Sequence, residues 1–175
     1  QEIVDGITRL DTSHHYVVFL GRDNFDEFIP TNSNVTKVLA DVKWYGESEQ
    51  FLMPYYINQA KVDLMHFPHF NVPILCPVPF VVTIHDLIIT KFPTTRATTL
   101  GSVKYFYKNL GYRIGMNHAI RRAKKIIAVS EFTKQDLLEQ FKVPEKKVTV
   151  IYEGVATLER AVDQAFTAKL DPEEV

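Results

Sequence analysis

The chain has 175 residues, 46% hydrophobic and 23% charged, with 7 Gly, 9 Pro and the single cysteine Cys76. That length suits one domain with a packed core, and the composition excludes collagen-like, linker-like and disulfide-framework sequences. The formal net charge is −1, yet nine Lys and Arg stand between Leu87 and Ser130 with no Asp or Glu among them, which leaves −10 elsewhere. Such a local positive field attracts phosphate or anionic lipid. No apolar run approaches the ~18 residues of a membrane span; the longest, at 74–84, is broken by Pro77 and Pro79. No basic-then-apolar leader opens the sequence.

Ile3, Val4, Ile7 and Leu10 recur at helical spacing, which predicts a helix whose front is cut off. Strands are predicted at 15–20, 35–42, 62–67, 80–84, 125–129 and 148–152, all rich in Val, Ile and aromatics. The runs 80–84 and 126–129 are nearly continuous in apolar residues, as parallel strands covered on both faces require. Helices are predicted at 47–60, 102–123, 131–141 and 156–169. In the second of these, Val103, Phe106, Tyr107, Leu110 and Ile114 mark the stripe expected to be buried. Near the end, Asp171-Pro172-Glu173-Glu174 reads as a further helix opening that stops at Val175, which suggests truncation. Strand alternating with helix predicts an α/β fold, a doubly wound and mainly parallel sheet.

In such sheets ligands bind beyond the carboxyl ends of the strands. His66 and His69, His85 and Asp86, Ser130, and Glu153 with Gly154 are expected there. His85 reads as a general base or hydrogen-bond donor, or as a loop histidine satisfied by carbonyls; its strand-end position tips the balance towards function. Asp86 either fixes the tautomer of His85 or caps the next segment. Ser130, with Thr133, opens a helix whose free N–H groups suit phosphate, although a plain N-cap is the commoner use of serine. Glu153-Gly154 reads first as a turn in which Gly relieves a positive φ. His66-x-x-His69 has metal-like spacing but no third ligand, so it reads as an aromatic-lined loop, and His14-His15 as surface. Glu131 and Glu139, and Glu145 and Glu153, each fit E-x7-E; two such hits in one chain show how little the spacing means. No D-x-D, G-x-G-x-x-G or P-loop motif occurs, which argues against a paired-acid metal site, an NAD site or a P-loop site.

Four segments in order resemble the acceptor-side domain of family 4 ("group 1") glycosyltransferases. They are Val62-Asp63-Leu64-Met65-His66, Val81-Val82-Thr83-Ile84-His85-Asp86-Leu87, the stretch from Ala123-Lys124-Lys125-Ile126 through Ser130-Glu131-Phe132-Thr133-Lys134, and Lys147-Val148-Thr149-Val150-Ile151-Tyr152-Glu153-Gly154-Val155. The resemblance implies one Rossmann-like half of a two-domain GT-B-type retaining transferase. Residues 1–155 would form the acceptor-side domain, without the family's first strand and Gly-rich loop. Residues 156–175 would begin the hinge, and the donor-binding domain would be absent, so the chain should be inactive alone. By the same resemblance His85 is the cleft histidine near the reacting sugar with Asp86 supporting it, Ser130 and Thr133 lie at the cleft near phosphate or acceptor, and Glu153-Gly154-Val155 lead into the interdomain hinge. His85 and Asp86 are the candidate catalytic residues, and His66, Ser130, Thr133, Glu153 and Gly154 the candidate substrate-binding ones. No metal and no cofactor is expected. The partners would be a nucleotide-sugar donor, held mainly by the absent domain, and a sugar or lipid-linked acceptor, with no nucleic acid. A non-catalytic binding domain of the same fold, or half of a sugar-nucleotide epimerase or glycogen-synthase-like polymerase, are the rival readings.

The basic helix carries a separate expectation. Lys104 and Lys108 are four residues apart and share a face, with Arg113 beyond them. They read either as a solvated face that keeps an anion-binding cleft positive or as a peripheral contact with an anionic membrane, the inner face of a cytoplasmic membrane in the second case.

Overall fold

The computed structural model describes residues 2–42, 46–88 and 102–154. The predicted helix at 156–169 and the helix opening at 171–174 lie outside the described residues. In chain order the elements are α1 (Glu2–Leu10), β1 (Tyr16–Leu20), α2 (Arg22–Phe25), β2 (Val35–Leu39), α3 (Glu47–Ala60), β3 (Met65–Phe67), β4 (Phe80–Ile84), α4 (Ser102–Arg122), β5 (Lys125–Ala128), α5 (Glu131–Phe141), a 3₁₀ turn (Glu145–Lys147) and β6 (Val148–Val150). Every strand ladder is parallel. The fold is α/β with parallel strands, as the strand–helix alternation predicts, and Rossmann-like, as the resemblance implies.

The six strands do not form one continuous ladder. β1 pairs with β2, and β3, β4, β5 and β6 pair in that order as a second sheet. Phe19 on β1 nevertheless packs against the core of the four-stranded sheet. Adjacent parallel strands must be joined by a crossover, and α4 and α5 provide those between β4 and β5 and between β5 and β6.

The core sits on the larger sheet. In β4, Phe80, Val82 and Ile84 are buried on one face and Thr83 on the other, so this strand is covered on both sides. Ile126 and Ala128 of β5, Ile57 of α3 and Leu137 of α5 join it. The buried face of α4 differs from the predicted stripe. Met116, Ala119, Ile120 and Ala123 are buried, at spacings that return to one helix face, and Tyr112 packs at its edge. Leu110 and Ile114 are 43% and 51% exposed. The periodicity was real, but the face that meets β4 is rotated from the one the bulkiest residues mark; the side chains of Val103, Phe106 and Tyr107 lie outside the described ones.

Helix ends follow local chemistry. Lys61 after α3 and Lys142 after α5 both take the left-handed conformation, at φ 51°, and donate their backbone N–H groups to Asn58 and Leu138 respectively. After the first of these turns β3 begins at Met65 and not at residue 62. α1 turns its polar side inward. Thr31 Oγ1 donates to Asp5 Oδ1 at 3.0 Å and Asn32 Nδ2 to Thr8 Oγ1 at 2.9 Å, while Ile3, Ile7 and Leu10 face outward.

Candidate functional site

His85 is the first residue beyond β4. Its backbone leaves a strand that is buried on both faces, and its ring emerges at the carboxyl edge of the sheet. Nδ1 lies 2.7 Å from Glu153 Oε1, and Nε2 lies 2.9 Å from the carbonyl oxygen of Pro68. The three residues follow β4, β6 and β3, so this one ring joins three strand exits. The His69 ring stands beside it, with centroids 6.2 Å apart and planes inclined by 27°.

Ser130 and Thr133 meet the same place from β5. Ser130 is extended, at φ −157° and ψ 161°, and its Oγ accepts the Thr133 N–H at 3.1 Å. It is therefore the N-cap of α5, the commoner of its two sequence readings. The Thr133 hydroxyl donates to the His85 backbone carbonyl at 3.1 Å and lies 3.0 Å from Ser130 Oγ. The start of α5, with its remaining free N–H groups, is thus fastened to the end of β4.

The other candidates fall around this centre. Asp86 Oδ1 accepts the Ile88 N–H at 3.0 Å, so this carboxylate caps the segment after β4, one of the two roles read for it. The carboxylate at the His85 ring is that of Glu153, a pairing across 68 residues that has no local sequence signal. His66 sits in the middle of β3 and not beyond its end. Its Nε2 lies 2.8 Å from Thr83 Oγ1, diagonally across the ladder in which His66 pairs with Val81. Gly154 does not fulfil the expected turn. No described glycine has a positive φ, and a Cβ at Gly154 would meet nothing within 4 Å. The chain past β6 simply stays open there. Lys104 and Lys108 lie on α4, with their side chains outside the described ones; Arg113 is exposed between Leu110 and Ile114.

Burial around the site disfavours additional positive charge. Desolvation lowers the pKa of His66 from its ordinary value. His69 is lowered chiefly by desolvation and then by the neighbouring His85, with Asp86 opposing. His118, under the sheet, is lowered by desolvation first; its Nε2 is buried without a partner, which a neutral ring tolerates far better than a cation. Of the E-x7-E hits, the Glu145 and Glu153 pair is divided, Glu145 accepting from Lys134 at 2.8 Å and Glu153 meeting His85. Among the described residues no group of three or more His, Cys, Asp or Glu is placed to hold a metal ion.

The family model described as Glycosyltransferase Family 4 matches residues 8–158. No curated protein matches the sequence. Among solved structures, the crystal structure of a glycosyltransferase from Rickettsia africae ESF-5 is similar at 21% identity and a TM-score of 0.47, over 99% of this chain. The chain spans 42% of that protein's length.

Proposed function

The chain belongs to glycosyltransferase family 4, and on that premise we propose that it supplies the acceptor-side half of a cleft in which a glycosyl group passes from a nucleotide-sugar to an acceptor hydroxyl. Transfer would retain anomeric configuration, require no metal, and need a donor-binding domain beyond residues 156–175. The observation that carries this reading is the convergence of His85, Thr133, Ser130 and Glu153 at the carboxyl ends of three adjacent parallel strands. In an α/β sheet that edge is where ligands lie. His85 would meet the acceptor hydroxyl through its ring, as a general base. The first turn of α5 would present N–H groups to phosphate or to acceptor oxygens. Asp86 would hold the loop that carries them.

The domain reading also accounts for the division of the sheet. Among the described residues β1 and β3 each pair on one side only. A first strand from a preceding segment would complete both edges. In the complete enzyme, His85→Ala should lower kcat by at least ~100-fold, the scale of a lost acid–base or charge-stabilising group. A folded variant with near-normal kcat would reduce His85 to a structural residue.

A lipid-linked acceptor is favoured by α4. Leu110, Arg113 and Ile114 are all exposed on the helix that also carries Lys104 and Lys108. No described helix is long and apolar enough to cross a membrane, so the contact would be peripheral, on the inner face of the cytoplasmic membrane. Each engaged basic residue adds ~1 kcal/mol near an anionic surface, and salt screens the attraction. Co-sedimentation with anionic vesicles should fall with salt and weaken in the Lys104→Glu, Lys108→Glu double variant. Indifference to such vesicles at low salt points to a soluble acceptor.

A further inference from the structure

We propose that Glu153 is the positioning residue of His85, selecting which ring nitrogen faces the cleft. The inference rests on the reading of this edge as a transferase cleft, but its geometry stands on its own. A neutral imidazole has one N–H, whereas both nitrogens of His85 face acceptors, the Glu153 carboxylate at 2.7 Å and the Pro68 carbonyl at 2.9 Å. Only the doubly protonated ring satisfies both. When the ring carries a single proton, the charged acceptor holds it more strongly than the neutral carbonyl does. The proton therefore stays on Nδ1. Nε2 is left with a lone pair opposite a carbonyl oxygen, an arrangement that releases it towards a ligand hydroxyl.

Among the described residues, the neighbours of the ring are engaged otherwise or bring no charge to it. Asp86, next in sequence, is turned to the Ile88 N–H. His69 lies over the face of the ring, away from the plane in which its nitrogens bond, and carries no acceptor charge. Thr133 pins the His85 backbone carbonyl and leaves the ring to Glu153 and Pro68. The pair is largely exposed, at 43% and 66% for the two side chains, so it adds little to stability; its effect is on orientation. Glu153 also lies past the end of β6, with β5 between that strand and β4. The state of the ring thus depends on where the segment leaving the sheet is held.

The test is long-range ¹H–¹⁵N correlation of the ring nitrogens in the 175-residue chain, at a pH where the ring is neutral, with His85→Gln to assign the signals. The expected result is the Nδ1–H tautomer in the native chain, reversal to the Nε2–H tautomer usual for free histidine in Glu153→Gln, and return of Nδ1–H in Glu153→Asp. In the complete enzyme, Glu153→Gln should lower kcat by ~10-fold or more with KM little changed, because the substrate still binds beside a misdirected ring. An Nε2–H tautomer in the native chain, or a tautomer indifferent to Glu153→Gln, overturns the proposal. So does a tautomer change with kcat unaltered. If the native enzyme transfers no sugar at all, the transferase reading fails, while the tautomer measurement still decides what Glu153 does.

Discussion

Two regions of this molecule are built from similar strands and treat them differently. In the four-stranded sheet, apolar β4 disappears into the core, with Val82 and Ile84 at most 1% exposed. In the β1–β2 pair, Tyr16-Val17-Val18-Phe19-Leu20 is just as apolar, yet all five residues are only half-buried. The helices match their sheets. α4 and α5 give buried Met116, Ile120 and Leu137 to the large core, whereas α1 buries Asp5 and Thr8 and leaves Leu10 90% exposed. Local sequence makes a strand in both places; cover by neighbouring elements decides what it contributes.

The largest effects should come from the covered region. Ile126→Ala and Ile84→Ala should each lower unfolding free energy by ~2–5 kcal/mol, measured by urea denaturation, since each opens a cavity at a fully buried position. Val17→Ala in β1 removes methyls that are already half in water and should cost about 1 kcal/mol. Equal losses would erase the distinction between the regions.

A smaller effect is expected at the junction of strand and helix. Ser130→Ala should cost about 1 kcal/mol, because Thr133 loses a cap that the alanine cannot replace. α3 begins at Gly46 with no side-chain cap, so the same deletion has no counterpart there. A neutral result would mean that the Thr133 bond to His85 holds the helix start by itself.

Acidity should separate the regions most finely. His66 and His69 have folded pKa values below their ordinary 6.5, so the unfolded chain binds protons first. The stability they contribute is therefore complete above 6.5 and declines as pH falls from there towards their folded values. Asp11, beside β1, accepts from Ser13 and Tyr16 and lies near His14, and these bonds, Ser13 first, hold its carboxyl far below the usual 3.8. Its contribution is present above 3.8 and is lost only as pH falls further below that value. Unfolding midpoints from pH 8 to 2 should show His66→Gln flattening the upper window and Asp11→Asn the lower. Both variants acting in one window would break the comparison.

The amino-acid sequence determined the elements of this protein, because a β-branched apolar run of five residues and a capped helix of eleven are local matters. Phe80–Ile84, Glu47–Ala60 and Glu131–Phe141 have the bounds their patterns predict. It also placed His85, Ser130 and Glu153 beyond strand ends, since the polar residue that follows a buried strand is visible in the chain. Tertiary structure alone decided the rest. Which face of α4 is buried depends on the side from which β4 approaches, so Met116 and Ile120 went in and Leu110 and Ile114 stayed out. The ladder to β4 forms only over Met65–Phe67, and it keeps His66 inside the strand. The carboxylate that His85 meets depends on strand order, which no spacing records: β6 lies two strands from β4, and Glu153 reaches the ring that the adjacent Asp86 does not.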